Sequence, residues 1–211
     1  MIQVKSQIEQ GVAELGLAFS NEKVEQLVAY LQLLEKWNRV YSLSAIREPS
    51  QMAALHVLDS LAAIMPLVDC KTITVLDVGS GGGQPGIPWA IAKPEWQFVL
   101  CDSNHKKTSF LRQAVAELGL RNVRIECFRV EQLTGQFDVI TSRAFAELRD
   151  FVSLTKHLLA ETGSWAALKG VFPHEEIERL PEGVIVRQAV PLRVPNLSAD
   201  RHLILMVWER E

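Results

Sequence analysis

From Val24 the apolar positions fall at Val24, Leu27, Val28, Leu31, Leu34 and Trp37. That three-and-four spacing predicts an amphipathic helix. Ser20 or Asn21 stands where a cap is needed, and Glu22 falls in the first turn, where a negative charge suits the helix dipole. Ile8, Val12 and Leu15 predict a shorter helix before it. Pro49 opens a third, with Met52, Leu55, Leu58, Leu61 and Ala62 on one face and Pro66 at its end. Residues 1–66 therefore read as a helical extension, and 67–211 as the main domain packed with it as one unit.

The period changes after residue 72. Residues 72–78 form a continuous apolar run, as expected of a strand buried on both faces. A glycine-rich loop and a short helix follow, with Pro88 in the helix's first turn and Pro94 just beyond its end. Further strands are predicted at 96–101, 123–128, 137–142 and 165–168. A long helix capped by Ser103 runs to about Leu118, with Gly119 just past its end, and another helix spans about 148–159. This alternation implies a parallel sheet with right-handed crossovers. Segments 184–190 and 202–208 are strands joined by a loop containing Pro191 and Pro195, too short for a helix, which predicts an antiparallel pair at one edge. The fold class is α/β: a seven-stranded, mostly parallel, Rossmann-like sheet with an N-terminal helical extension.

Composition narrows the function classes. The 211 residues are 48% hydrophobic and 22% charged, which suits a globular protein and argues against disorder. A net charge of −3 argues against a general nucleic-acid coat but leaves room for a local basic patch. Cys70, Cys101 and Cys127 lack disulfide or zinc spacing, and the last two sit in apolar runs that read as buried. No apolar run approaches the roughly 20 residues of a membrane span, and the first residues do not read as a secretion signal; the expected location is the cytoplasm. The five histidines show no metal-ligand spacing, so no metal is expected.

The candidate chemistry lies in the loop after the first predicted strand. Residues 79–86 hold five glycines in eight positions, at the carboxyl end of a strand, where open α/β sheets bind ligands. The loop ends Gln84-Pro85-Gly86 and lacks the Gly-Lys-Ser/Thr of a P-loop. A dinucleotide fingerprint is present as Gly81-x-Gly83-x-x-Gly86, but it begins four residues after Asp77, late for a pyrophosphate turn. Asp77-Val-Gly79-Ser-Gly81 instead resembles motif one of the class I S-adenosylmethionine methyltransferases. Asp102, 23 residues after Gly79, suits the ribose hydroxyls of either cofactor, or it could cap the helix that follows.

Five segments together resemble the bacterial ribosomal small-subunit RNA guanine-N7 methyltransferase family, also called glucose-inhibited division protein B. They are Lys36-Trp-Asn-Arg-Val-Tyr41-Ser-Leu, His56-Val-Leu-Asp59-Ser-Leu, the loop from Asp77 through Pro88, Ser142-Arg-Ala-Phe145, and Arg201-His-Leu. The chain departs from the family pattern at Ser42-Leu-Ser44, where Asn-Leu-Thr is usual, and at Gln84, where an apolar residue is usual. The resemblance implies methyl transfer from S-adenosylmethionine to N7 of a guanine near the decoding centre of small-subunit ribosomal RNA. By position it implies cofactor contacts at Gly79, Gln84, Val130, Glu131 and Arg143. Gly81 and Asp102 join that set from the reading of the loop and second strand.

Guanine N7 carries a free lone pair, so this chemistry needs alignment more than a general base. Arg143 is the candidate catalytic residue: it could hold guanine O6, a phosphate or the cofactor carboxylate, and Arg143→Ala is expected to lower turnover far more than stability. Lys106, Arg112, Arg129, Lys169 and Arg201 are candidate RNA contacts. A class I methyltransferase of a small molecule or protein, an NAD(P)-dependent oxidoreductase and a non-catalytic RNA-binding module remain as alternatives.

Overall fold

The computed structural model describes residues 2–67 and 73–209. Cys70 and the first residue of the predicted 72–78 strand lie outside them. Among the described residues one sheet holds seven strands in the order β3-β2-β1-β4-β5-β7-β6. These are β1 (Thr74–Val78), β2 (Gln97–Cys101), β3 (Val123–Glu126), β4 (Phe137–Arg143), β5 (Leu159–Lys169), β6 (Val184–Pro191) and β7 (His202–Trp208). The first five pair in parallel, and β7 runs antiparallel between β5 and β6. The order reverses between β1 and β4, which opens a crevice above the carboxyl end of β1.

Helices cover both faces. One face carries α1 (Ile2–Glu14), α2 (Asn21–Tyr41), α5 (Gly86–Ala92) and α6 (His105–Glu117), whose buried residues share a core with β1 and β2. The other face is closed by α7 (Leu148–Thr155) over Leu76, Ile140 and Trp165. Ser20 caps α2, its hydroxyl accepting from Lys23 N–H. Gly119 follows α6 at φ +66°, the left-handed conformation that ends helices.

Five local expectations need correction. Asn104, not Ser103, caps α6: its Oδ1 accepts from Lys106 N–H at 2.9 Å and Lys107 N–H at 3.3 Å. The strand read at 165–168 starts earlier, because α7 gives way to a 3-10 turn at Lys156–Leu158 and β5 follows directly. Polar residues such as Glu161 hid its first half. The helix opened by Pro49 is composite: α3 (Pro49–Met52), a π-helical segment (Ala53–Leu58) and α4 (Asp59–Ile64). Asp59 N–H donates to Ala54 O, five residues back. The wide turn buries His56 and Asp59 and leaves Leu55 only half-buried. Pro66 sits inside a closing 3-10 turn, Met65–Leu67. Cys101 is buried, but Cys127 lies past β3, half-buried, with its sulfur 3.3 Å from His105 Nδ1.

Candidate active site

The loop between β1 and α5 is shaped by its glycines and braced by two carboxylates. Gly79, Gly81 and Gly83 take φ of 69°, 55° and 91°, which side chains rarely adopt. A Cβ on Gly79 would fall 2.6 Å from the Phe145 ring. Gly79 and Ser80 N–H groups donate to Cys101 O at 2.8 and 3.1 Å, tying the loop to the end of β2. Asp77 Oδ2 accepts from Gly86 N–H at 3.0 Å, while its buried Oδ1 has no hydrogen-bond partner. Burial pushes this carboxyl up to about 7, against the opposing pull of the Gly86 N–H and of Arg143. Asp102 Oδ2 accepts from Gly81 N–H at 3.0 Å and its Oδ1 from Asn104 N–H at 2.9 Å.

A cavity of about 300 Å³ opens beside this loop. Gly79, Asp102, Val130 and Glu131 line it, with Lys107, Phe128, Arg129 and Phe145 around them. Gly81 and Gln84 do not line it. The Gly81 N–H is taken by Asp102, and the Gln84 side chain is buried under the loop, donating to the Tyr30 hydroxyl and to Gly82 O.

Arg143, at the end of β4, also points elsewhere. It lines a second cavity of about 490 Å³ with Ser44, His56, Asp59, Lys169 and Arg201. Its Nη1 donates to Leu55 O at 2.6 Å and lies 3.3 Å from Asp59 Oδ2. Its Nη2 donates to Gln84 Oε1 at 3.1 Å and to His56 Nδ1 at 3.2 Å. Arginine only donates, so His56 must present a lone pair at Nδ1 and carry its proton at Nε2, facing Ser44 Oγ at 2.9 Å. Burial, and then the Arg143 charge, push His56 down to about 4, which keeps it neutral. Asp59 is shared: Oδ1 takes Arg201 Nε at 3.0 Å. The guanidinium is thus a strut between β4, the glycine loop and the composite helix, with its four terminal N–H directions engaged.

Ala144 separates the two cavities and lines both. Its φ of 56° is a left-handed conformation in a residue that has a Cβ, the kind of backbone strain that clusters at functional sites.

The structure divides the remaining sequence candidates. Lys169 and Arg201 meet in the second cavity, each already paired, Lys169 with Glu176 at 2.7 Å and Arg201 with Asp59. Arg129 is exposed at the rim of the first cavity, and Lys106 and Arg112 are exposed along α6. Tyr30, whose hydroxyl donates to Gly82 O, is marked by no sequence pattern, and His56 and Asp59 stand in a family-like segment that gives no link to Arg143. The His56-x-x-Asp59 spacing on a predicted helix was the available signal, since it sets both on one face. Among the described residues no three His, Cys, Asp or Glu side chains gather as a metal site, and no helix is long and apolar enough to cross a membrane.

Comparison with known proteins bears on this arrangement. Residues 23–204 match the family model described as GidB, rRNA small subunit methyltransferase G. A protein of Laribacter hongkongensis named ribosomal RNA small subunit methyltransferase G is 59% identical over 203 residues, covering 95% of this chain and 97% of that one. One from Neisseria meningitidis serogroup B with the same name is 51% identical over 203 residues, covering 96% and 97%. Among solved structures, ribosomal protein L11 methylase from Lactobacillus delbrueckii subsp. bulgaricus superposes with a TM-score of 0.57 at 18% identity, over 72% of this chain and 77% of that one. TrmN from Thermus thermophilus gives 0.55 at 20% identity, over 71% and 48%. At those identities the solved structures speak to the fold alone.

Proposed function

Because the chain belongs to the rRNA small subunit methyltransferase G family, we propose that it methylates N7 of one guanine in a decoding-region loop of small-subunit ribosomal RNA, with S-adenosylmethionine as methyl donor. The observation that carries this reading is the pair of cavities meeting at Ala144. One suits an adenosine-bearing cofactor and the other an extruded base.

The first cavity fits the cofactor on its own features. Gly79 leaves space that a Cβ would fill, next to Phe145. Each Asp102 oxygen accepts one backbone N–H, which leaves lone pairs for the hydroxyl donors of a ribose. Val130 and Phe128 give an apolar wall, and Glu131 an anionic one. When bound, S-adenosylmethionine supplies a methyl group on a cationic sulfur. Gly79, Asp102, Val130 and Glu131 hold it, while Gly81 and Gln84 act from behind, by fixing the Asp102 carboxylate and the loop.

N7 of guanine loses no proton as it attacks, so the protein's task is to hold the ring edge-on and keep N7 uncovered. Arg143 Nε–H is the guanidinium direction left over from the strut and is suited to O6 of that ring. Flanking phosphates would compete with Glu176 for Lys169 and with Asp59 for Arg201 at the second cavity, with Lys106, Arg112 and Arg129 as further cations. The test is transfer of labelled methyl from S-adenosylmethionine to deproteinised small-subunit RNA or to assembled subunits. Label in 7-methylguanine is expected; label only in protein, in small molecules or at another base position would overturn the proposal.

A further inference from the structure

Tyr41, the last residue of α2, takes no part in either cavity, yet it is 44% exposed and Val40 beside it is 71% exposed. The helix therefore ends in an apolar tip that faces water. The ring is supported by Trp37, one turn back, with centroids 5.1 Å apart at an interplanar angle of 38°. Trp37 is itself fixed by an edge contact to Phe110 at 5.7 Å and by donation from Nε1 to Gln113 Oε1 at 3.0 Å. A partly exposed ring on so braced a base has a defined orientation before any partner arrives.

A cation lies over the ring. Lys106 Nζ lies 5.7 Å from the Tyr41 ring centroid, near the outer limit of a cation–π contact. The neighbouring acid on α2, Glu35, is taken by Arg39 at 2.7 Å. Lys106 thus brings a positive charge to this tip although the chain is acidic overall.

The position relates to both cavities. Lys107, next to Lys106, lines the first. The chain leaving Tyr41 turns at Ser42, φ 48°, and reaches Ser44 in the lining of the second. Those three residues span at most roughly 10 Å, a few nucleotides at about 3.4 Å each.

We propose that Tyr41, flanked by Lys106, is a stacking platform for an unpaired base of the RNA strand adjacent to the guanine in the second cavity. The ring takes a base face of any identity once the flexible Lys106 side chain swings off it, and the lysine then takes the phosphate beside that base. This rests on the RNA reading above and adds to it a contact that holds the strand without reading its sequence.

Steady-state methyl transfer tests it, on whichever form of the RNA the wild-type protein accepts. Tyr41→Ala should raise KM for RNA roughly tenfold or more, with unchanged affinity for S-adenosylhomocysteine. Tyr41→Phe should restore KM, because stacking needs the ring and not the hydroxyl. A purely structural role would instead lower the melting temperature and kcat without a selective change in KM, and unchanged KM in Tyr41→Ala overturns the proposal. Should that variant fail to fold, ultraviolet crosslinking of the wild-type protein to the same RNA decides: an adduct on Tyr41 is expected, and adducts only elsewhere overturn the platform. A wild-type protein that methylates no RNA defeats the underlying function before any variant is compared.

Discussion

Arg143 shows what a single residue position tells and what it hides. Its place after the fourth strand marked it as functional, but its partners are Leu55, His56, Asp59 and Gln84, between 59 and 88 residues away in sequence. No local pattern announces such a convergence. It also changes the expectation for Arg143→Ala: removing the strut strands several buried acceptors, so stability should fall by about 2–3 kcal/mol along with activity. Arg143→Lys is the sharper probe. It keeps the charge near Asp59 but loses the planar fork, so turnover should drop at least tenfold while S-adenosylhomocysteine binding changes little; normal methylation by this variant would count against the role of Arg143. Two buried titrating groups near this arginine act in opposite directions. Asp77, with Arg143 and Asp102 acting on it, is raised to about 7 mainly by burial, so its contribution to stability is full below the unfolded value near 4 and is lost as pH rises through 7. His56, which faces Arg143 and Ser44 with Asp59 on the same helix, is lowered to about 4. Its contribution is full above about 6.5 and is lost as pH falls through 4. Between about pH 4 and 6.5 the two slopes oppose, each at most about 1.4 kcal/mol per pH unit. Urea midpoints should therefore rise with pH across this window in Asp77→Asn and fall in His56→Gln, and matching profiles for the two variants would contradict the assignment.

At the scale of elements, the loop from β1 to α5 was the most legible part of the chain. Left-handed backbone in three glycines and a close approach to Phe145 leave little freedom in residue choice. Gly79→Ala should impose about 1–2 kcal/mol of backbone cost and push Phe145 into the first cavity. Calorimetry with S-adenosylhomocysteine should then show at least tenfold weaker binding; an unchanged affinity would remove Gly79 from the cofactor site. The π-helical segment at Ala53–Leu58 was not legible, because its apolar spacing also fits an ordinary helix. What selects the wider turn is tertiary: it carries His56 and Asp59 to Arg143, and leaves the Leu55 carbonyl aimed at the same guanidinium. The early start of β5 is hidden in the sequence for a similar reason. Glu161 and its neighbours look like a loop in isolation, and only pairing with Phe137 across the sheet makes Leu159 a strand residue.

For the whole molecule, the strand rhythm and the missing crossover helix before β7 were enough to predict the parallel sheet with an antiparallel edge. What the bulk numbers could not give is the distribution of charge. The chain carries −3 overall, yet Arg129 lines the first cavity and Lys169 and Arg201 the second, with Lys106 and Arg112 exposed on α6. If these cations grip phosphates, RNA affinity should fall as salt rises, with a logarithmic slope near the number of phosphates engaged; an affinity independent of salt would contradict a basic face. The N-terminal helices share a core with the sheet and supply Tyr30, His56 and Asp59 to the two cavities' supports. They are thus part of the site's construction. The proposed methylation of one guanine N7 in small-subunit ribosomal RNA is open to direct test by mapping 7-methylguanine in that RNA from cells with and without the gene. One decoding-region site is expected to disappear on deletion and to return with the wild-type gene but not with Gly79→Ala. An unchanged map would contradict it.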